Sequence, residues 1–159
     1  MSRDKNSDRD IVHSSMHHPD SENARGCVYH SNDLYLVQRC WYAELSAIKT
    51  EIEHLLTKIS DLMEQHTHIG FVQKSINLLN LLVGANMRFN QLITELDNEK
   101  EVLSKYPSTF PIAPCNRSYK KHFQLETRVE EEKQKFYNIK IKVNYTMHQH
   151  LGDKNKVID

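Results

Sequence analysis

The stretch ELSAIKTEIEHLLTKISDL, Glu44 to Leu62, decides the fold. Nothing in it is chemically reactive, yet its apolar residues recur on a fixed beat. Leu34, Trp41, Ile48, Leu55, Leu62 and Ile69 fall every seventh residue, with Leu45, Ile52 and Ile59 between them. This is the 3-4 spacing of a heptad seam on one face of a helix, interrupted only by Gln38 and His66. The flanks are of mixed charge, including Glu44, Lys49, Glu51 and Lys58. Nine such apolar residues represent roughly 13–27 kcal/mol if fully buried, an upper bound. Side-chain pairs along a lone helix supply only about 0.2–0.5 kcal/mol each, so a covering face must exist. That face could be the second helix folded back, a second copy or another protein, and the expected partner-binding seam is Trp41, Leu45, Ile48, Ile52, Leu55, Ile59 and Leu62.

Working outward, the chain changes phase at Gln65 to Gly70 (QHTHIG). Beyond it Val72, Ile76, Leu79, Leu82, Val83, Phe89, Ile93, Leu96 and Leu103 mark a second helix. Either one rod continues through a stammer, or the chain breaks at Gly70 and allows a hairpin; glycine at a helix end favours the break. Leu78, Leu79, Leu81 and Leu82 nearly encircle this second helix, so its apolar side is wider than a single seam. Surplus apolar surface of that kind marks an interaction site. YPSTFPIAP, Tyr106 to Pro114, holds three of the four prolines and ends the helix as a linker. From Asn116 helical character returns. His122, Leu125, Val129, Phe136, Ile139 and Val143 keep the 3-4 spacing, with Glu132 as the exception.

The expected organisation is thus all-α, with two or three long coiled-coil helices. Residues 1–32 read as a disordered tail, rich in Ser, Asp, Asn and His with little to bury. Helices follow over 33–106, with Asn32 or Asp33 as a capping residue and a break near 66–70. A proline-rich linker occupies 107–115, a third helix 116–150 and a frayed end 151–159. If straight, residues 34–105 would reach on the order of 100 Å.

Composition narrows the function. The chain has 159 residues, with 21 Lys+Arg balancing 21 Asp+Glu, so no strong field draws it to nucleic acid or an acidic membrane. Three cysteines, Cys27, Cys40 and Cys115, are odd in number and widely spaced, which fits a reducing compartment. The start MSRDKNSDRD has no apolar run of a secretory signal, and no stretch approaches the roughly 20 apolar residues of a membrane span. The ten histidines invite a metal reading, with His66/His68, His148/His150 and His17/His18 as pairs. On a helix, residues i and i+2 point about 200° apart, and no CxxC or HExxH accompanies them. No phosphate-binding glycine loop or GxSxG nucleophile occurs. A non-enzymatic chain with no cofactor and no metal is expected. Arg117 to Lys142 holds eight Lys/Arg against four Glu, which leaves a direct microtubule or nucleic-acid binder as an alternative.

One family shares this order of features. EIEHLLTKISDLMEQHTHIGFVQKSINLLNLLV, Glu51 to Val83, is similar to the central stretch of the augmin complex subunit 2 family. There too a heptad helix leads through a His-containing break into an FxxQK-like start, here Phe71, Gln73 and Lys74. ITELDNEKEVLSKYPSTFPI, Ile93 to Ile112, resembles the family's charged helix end and proline-bearing linker. The short length resembles the compact insect form. The resemblance covers about residues 40–135. It implies a non-catalytic subunit of an assembly that sits on spindle microtubules and recruits the gamma-tubulin ring complex, so that new microtubules branch from old ones. The implied partners are other long coiled-coil subunits, and the implied location is the cytoplasm and mitotic spindle. A small subunit of another coiled-coil assembly, at the kinetochore or in organelle tethering, is the alternative of the same class.

Overall fold

The computed structural model describes residues 29–65 and 68–154, with backbone alone for 150–154. The fold is all-α. Helix α1 is Ser31–Gln65, α2 is Ile69–Ser104 and α3 is Arg117–Lys154. At 35, 36 and 38 residues, each is about 53–57 Å long. The break falls near Gly70 as the phase change implies, and it reverses the chain. Leu34 near the start of α1 shares a cluster with Leu103 near the end of α2, so the two helices are antiparallel. Helix α3 returns alongside, antiparallel to α2 and parallel to α1. Its Lys133 and Lys140 reach Glu44 and Glu51 of α1 in the same order along both helices. The result is an up-down-up bundle rather than an extended rod of about 100 Å.

Each helix contributes a stripe to the core. On α1 it is Leu34, Gln38, Trp41, Leu45, Ile48, Ile52, Leu55 and Ile59. On α2 the buried residues are Phe71, Ser75, Leu78, Leu82, Ala85, Phe89, Leu92, Leu96, Glu99 and Leu103, an unbroken 3-4 alternation. On α3, Leu125, Val129, Phe136, Ile139 and Val143 are buried as their spacing implies, and Met147 joins them. Phe89 and Phe136 meet edge to face at 6.1 Å, a favoured quadrupole arrangement. Ile69 does not continue the α1 seam. It opens α2 and is 84% exposed, because the reversal ends the heptad register at Leu62.

The ends of the bundle are tied by backbone hydrogen bonds. Residues 29–32 belong to the fold rather than to a tail, and residues 1–28 lie outside the described residues. Tyr29–His30 (β1) pairs antiparallel with Pro111–Ile112 (β2) in the linker. The first N–H groups of α1 have no partner within the helix and need acceptors. Ser31 N–H donates to the Phe110 carbonyl at 3.0 Å and Asn32 N–H to that of Ser108 at 3.3 Å. The Ser31 hydroxyl donates to the Pro107 carbonyl at 2.6 Å. Asp33 reaches back to accept from His30 N–H at 3.2 Å, the acidic half of a capping box. At the start of α3, Asn116 accepts from Ser118 N–H at 2.8 Å.

Two substitutions test this packing with opposite signs. Ile52 is fully buried at the centre of the bundle, so Ile52→Ala should lower stability by about 2–5 kcal/mol. At Gly84 a Cβ would meet only the flexible tip of Arg88, at 3.3 Å. Gly84→Ala should therefore raise stability by about 0.5–1 kcal/mol. Urea unfolding followed by circular dichroism reads both.

Candidate interaction surface

The seam expected to bind partners is the chain's own core. Leu45 and Ile52 are fully buried; Trp41, Ile48, Leu55 and Ile59 are buried; Leu62 is half-buried against them. Leu78, Leu82, Phe89, Leu125, Val129 and Phe136 share that cluster, so α2 and α3 cover the ridge. The heptad pattern correctly marks burial. What it does not encode is that the covering helices lie later in the same chain.

Polar residues from all three helices gather in the core at one level. Leu34, Leu103 and Ile112 form a small cluster, apart from the long one that begins at Trp41 and Leu96. Between them lie Gln38 on α1 and Glu99 on α2, and Gln38 in turn meets His122 of α3. The Gln38 side-chain amide donates to His122 Nδ1 at 3.5 Å, and His122 stacks on Trp41 at 4.8 Å. Gln38 Oε1 and Glu99 Oε1 are buried without a hydrogen-bond partner. Burial pushes the His122 imidazole down to about 4 from an ordinary 6.5, so it is held neutral. A polar position in an apolar seam penalises other registers, which is its best-attested use.

The grooves involving α3 are laced by charge. Glu95 of α2 accepts from Arg128 at 2.6 Å and Lys121 at 2.7 Å, both on α3. The Arg128 bond, with help from Lys121 and against burial, holds the Glu95 carboxyl down at about 2. Glu132, the charged exception in the α3 seam, accepts from Arg88 at 2.6 Å and Lys135 at 2.7 Å. Burial pushes the Glu132 carboxyl up, and those two bonds bring it below the ordinary carboxylate value. Lys133 and Lys140 bind Glu44 and Glu51. Five of the eight cations in 117–142 are therefore engaged by carboxylates. Among the described residues, Arg117, Lys120 and Lys142 have no ion pair. The sequence pattern suggested a basic face; much of it is internal glue.

The histidine pairs do not assemble. His17/His18 and one member each of His66/His68 and His148/His150 lie outside the described side chains. Among the described residues no three His, Cys, Asp or Glu gather as a metal site would require. Cys40 and Cys115 are exposed free thiols. No helix among the described residues is long and apolar enough to cross a membrane. The hollow beside Tyr119, Lys120, Phe123 and Thr127 is shallow and open.

What remains is a second apolar stripe on α2. Of the nine residues expected to mark this helix, Leu82, Phe89, Leu96 and Leu103 are buried in the core, whereas Val72, Ile76, Leu79, Val83 and Ile93 lie beside that buried row. Leu79 and Ile93 are half-buried against the core, while Ile76 and Val83 are exposed at 39% and 49%. Ile69 and Met87 extend the stripe, Met87 at 64% exposure. These outer residues join the sequence pattern because they are as apolar as the inner row, which itself includes the polar members Ser75 and Glu99.

Three depressed groups, His122, Glu95 and Glu132, shape the response to acid. His122 binds its proton in the unfolded chain near 6.5 but in the folded chain only near 4. Unfolding therefore takes up a proton across that window, and stability falls as pH drops through it. Glu95 acts likewise over the lower window, from about 4.5 down to about 2. His122→Leu should remove the loss between pH 6.5 and 4.5 relative to wild type, read as a flatter dependence of the urea midpoint on pH. Comparison with family models, with curated proteins and with solved structures found no match.

Proposed function

We propose that this chain is a non-catalytic helical subunit of the augmin complex, supporting microtubule-dependent microtubule nucleation in the mitotic spindle. The observation that carries the reading is a helix, break and helix over Glu51 to Val83 whose second helix is apolar on two sides. One side is consumed by the chain's own core. The other is surplus, and surplus apolar surface on a rigid helix is what an assembly subunit needs. The same stretch bears the resemblance to the augmin subunit 2 family. In this reading the chain is a compact three-helix peg held among longer coiled-coil subunits. It meets microtubules and the gamma-tubulin ring complex through them. With Arg117, Lys120 and Lys142 as its unpaired cations, the 117–142 segment offers a polyanion a weak handle.

A tagged chain expressed in dividing cells is expected to co-purify with the long augmin subunits and to enrich on the spindle. Its depletion is expected to lower gamma-tubulin along spindle fibres severalfold. Recovery of the folded chain with none of those subunits, and without spindle enrichment, would overturn the reading.

A further inference from the structure

We infer that the α2 stripe from Ile69 to Ile93 seats one amphipathic helix of a partner chain, and that this helix has an uncharged seam. The inference rests on the assembly reading above and adds the face and the chemistry of its occupant. Ile69, Val72, Ile76, Leu79, Val83 and Met87 follow one another at three- and four-residue steps, the spacing that accepts knobs from a facing helix. Asn80, Asn86 and Asn90 are polar, uncharged members of the face, Asn86 standing between Leu79 and Ile93 with its Oδ1 buried and without a hydrogen-bond partner. The charged residues of this span are Lys74 and Arg88, and both stand on other sides of the helix, Arg88 turned to Glu132 of α3. A charged seam residue on the occupant would be desolvated against this face without a counter-ion.

The stripe is continuous with the α1–α2 contact, because Leu79 and Ile93 belong to both and Leu56 and Met63 of α1 are half-buried in the same cluster. A helix laid along α2 can therefore also touch the α1 side, as a fourth member of the bundle. A second copy of this chain is the weaker occupant. Over 25 residues, about 37 Å, a strip one helix wide at about 10 Å presents on the order of 370 Å². That is under half of the ~800 Å² per partner of a stable interface. A longer helix from another subunit can go on to make contacts beyond the strip.

The test co-expresses the full chain with the long augmin subunits. Val83→Glu with Met87→Glu places charge on exposed positions, so helicity and melting should match wild type. Recovery of the subunits should fall at least tenfold. Tyr137→Glu with Ile141→Glu, on the outer face of α3, should leave recovery unchanged. As a readout without added charge, Val83→Cys should react with a maleimide in the free chain and be protected in the complex, with the labelled peptide identified by mass. Undiminished recovery of the stripe variant, or an unprotected Cys at position 83, overturns the inference while the assembly reading stands. Failure of the wild-type chain to recover any subunit overturns both. A free chain that sediments as a dimer, and as a monomer once Val83→Glu is introduced, makes the occupant a second copy and overturns the assignment to a partner helix.

Discussion

The whole arrangement depends on the chain reversing between Gln65 and Ile69, so that the ridge of α1 meets the buried stripe of α2. An amphipathic helix of 35 residues gains little from its own backbone and local pairs; most of its stability comes from the face that dries its apolar side. Here that face arrives within the same chain. Two rows of 3-4 spacing then run antiparallel, and α3 lays a third row against both. The short connections keep contacts local, the topology that folds fastest.

Within this apolar scheme, the level of Gln38, Glu99 and His122 is the exception that defines alignment. A wholly aliphatic three-helix core tolerates sliding by one heptad, since Ile, Leu and Val are nearly interchangeable there. With a polar residue from each helix assigned to one level, a slide would bury each of them against hydrocarbon. Glu132 plays a similar part lower on α3, with Arg88 as its fixed counterpart. His122 and Glu132 also make the bundle sensitive to acid, since a buried imidazole and a paired carboxylate both resist protonation.

How much was legible follows from these details. The α1 seam was readable from Leu34 to Leu62 because only Gln38 interrupts its apolar positions there. The α3 seam was equally plain, down to Glu132 as its odd member. Helix α2 misled because it is apolar on two sides, while its inner side includes Ser75, Ala85 and Glu99. A pattern of hydrophobicity ranks positions by greasiness and so mixes the two sides, taking Leu82, Phe89, Leu96 and Leu103 from the buried row and Val72, Ile76, Leu79, Val83 and Ile93 from beside it. The pattern also says that a ridge is covered without saying by what, so on sequence alone the folded-back second helix, a second copy and another protein are all open as cover for Trp41 to Leu62. Residues 29–32 looked like tail because what orders them is mostly backbone carbonyls of Pro107 to Phe110, which leave no signature in side-chain identity. The cations of 117–142 looked free because their carboxylates lie as far as 89 residues away along the chain.

The chain has a single tryptophan, and its indole is laid flat on an imidazole contributed by a different helix. Light emission from Trp41 thus carries information about one event, the seating of α3 on α1. Protonated imidazole quenches indole more strongly than neutral imidazole does, so the same signal senses the charge state of the buried ring. The molecule contains its own optical gauge of closure, with no label to add.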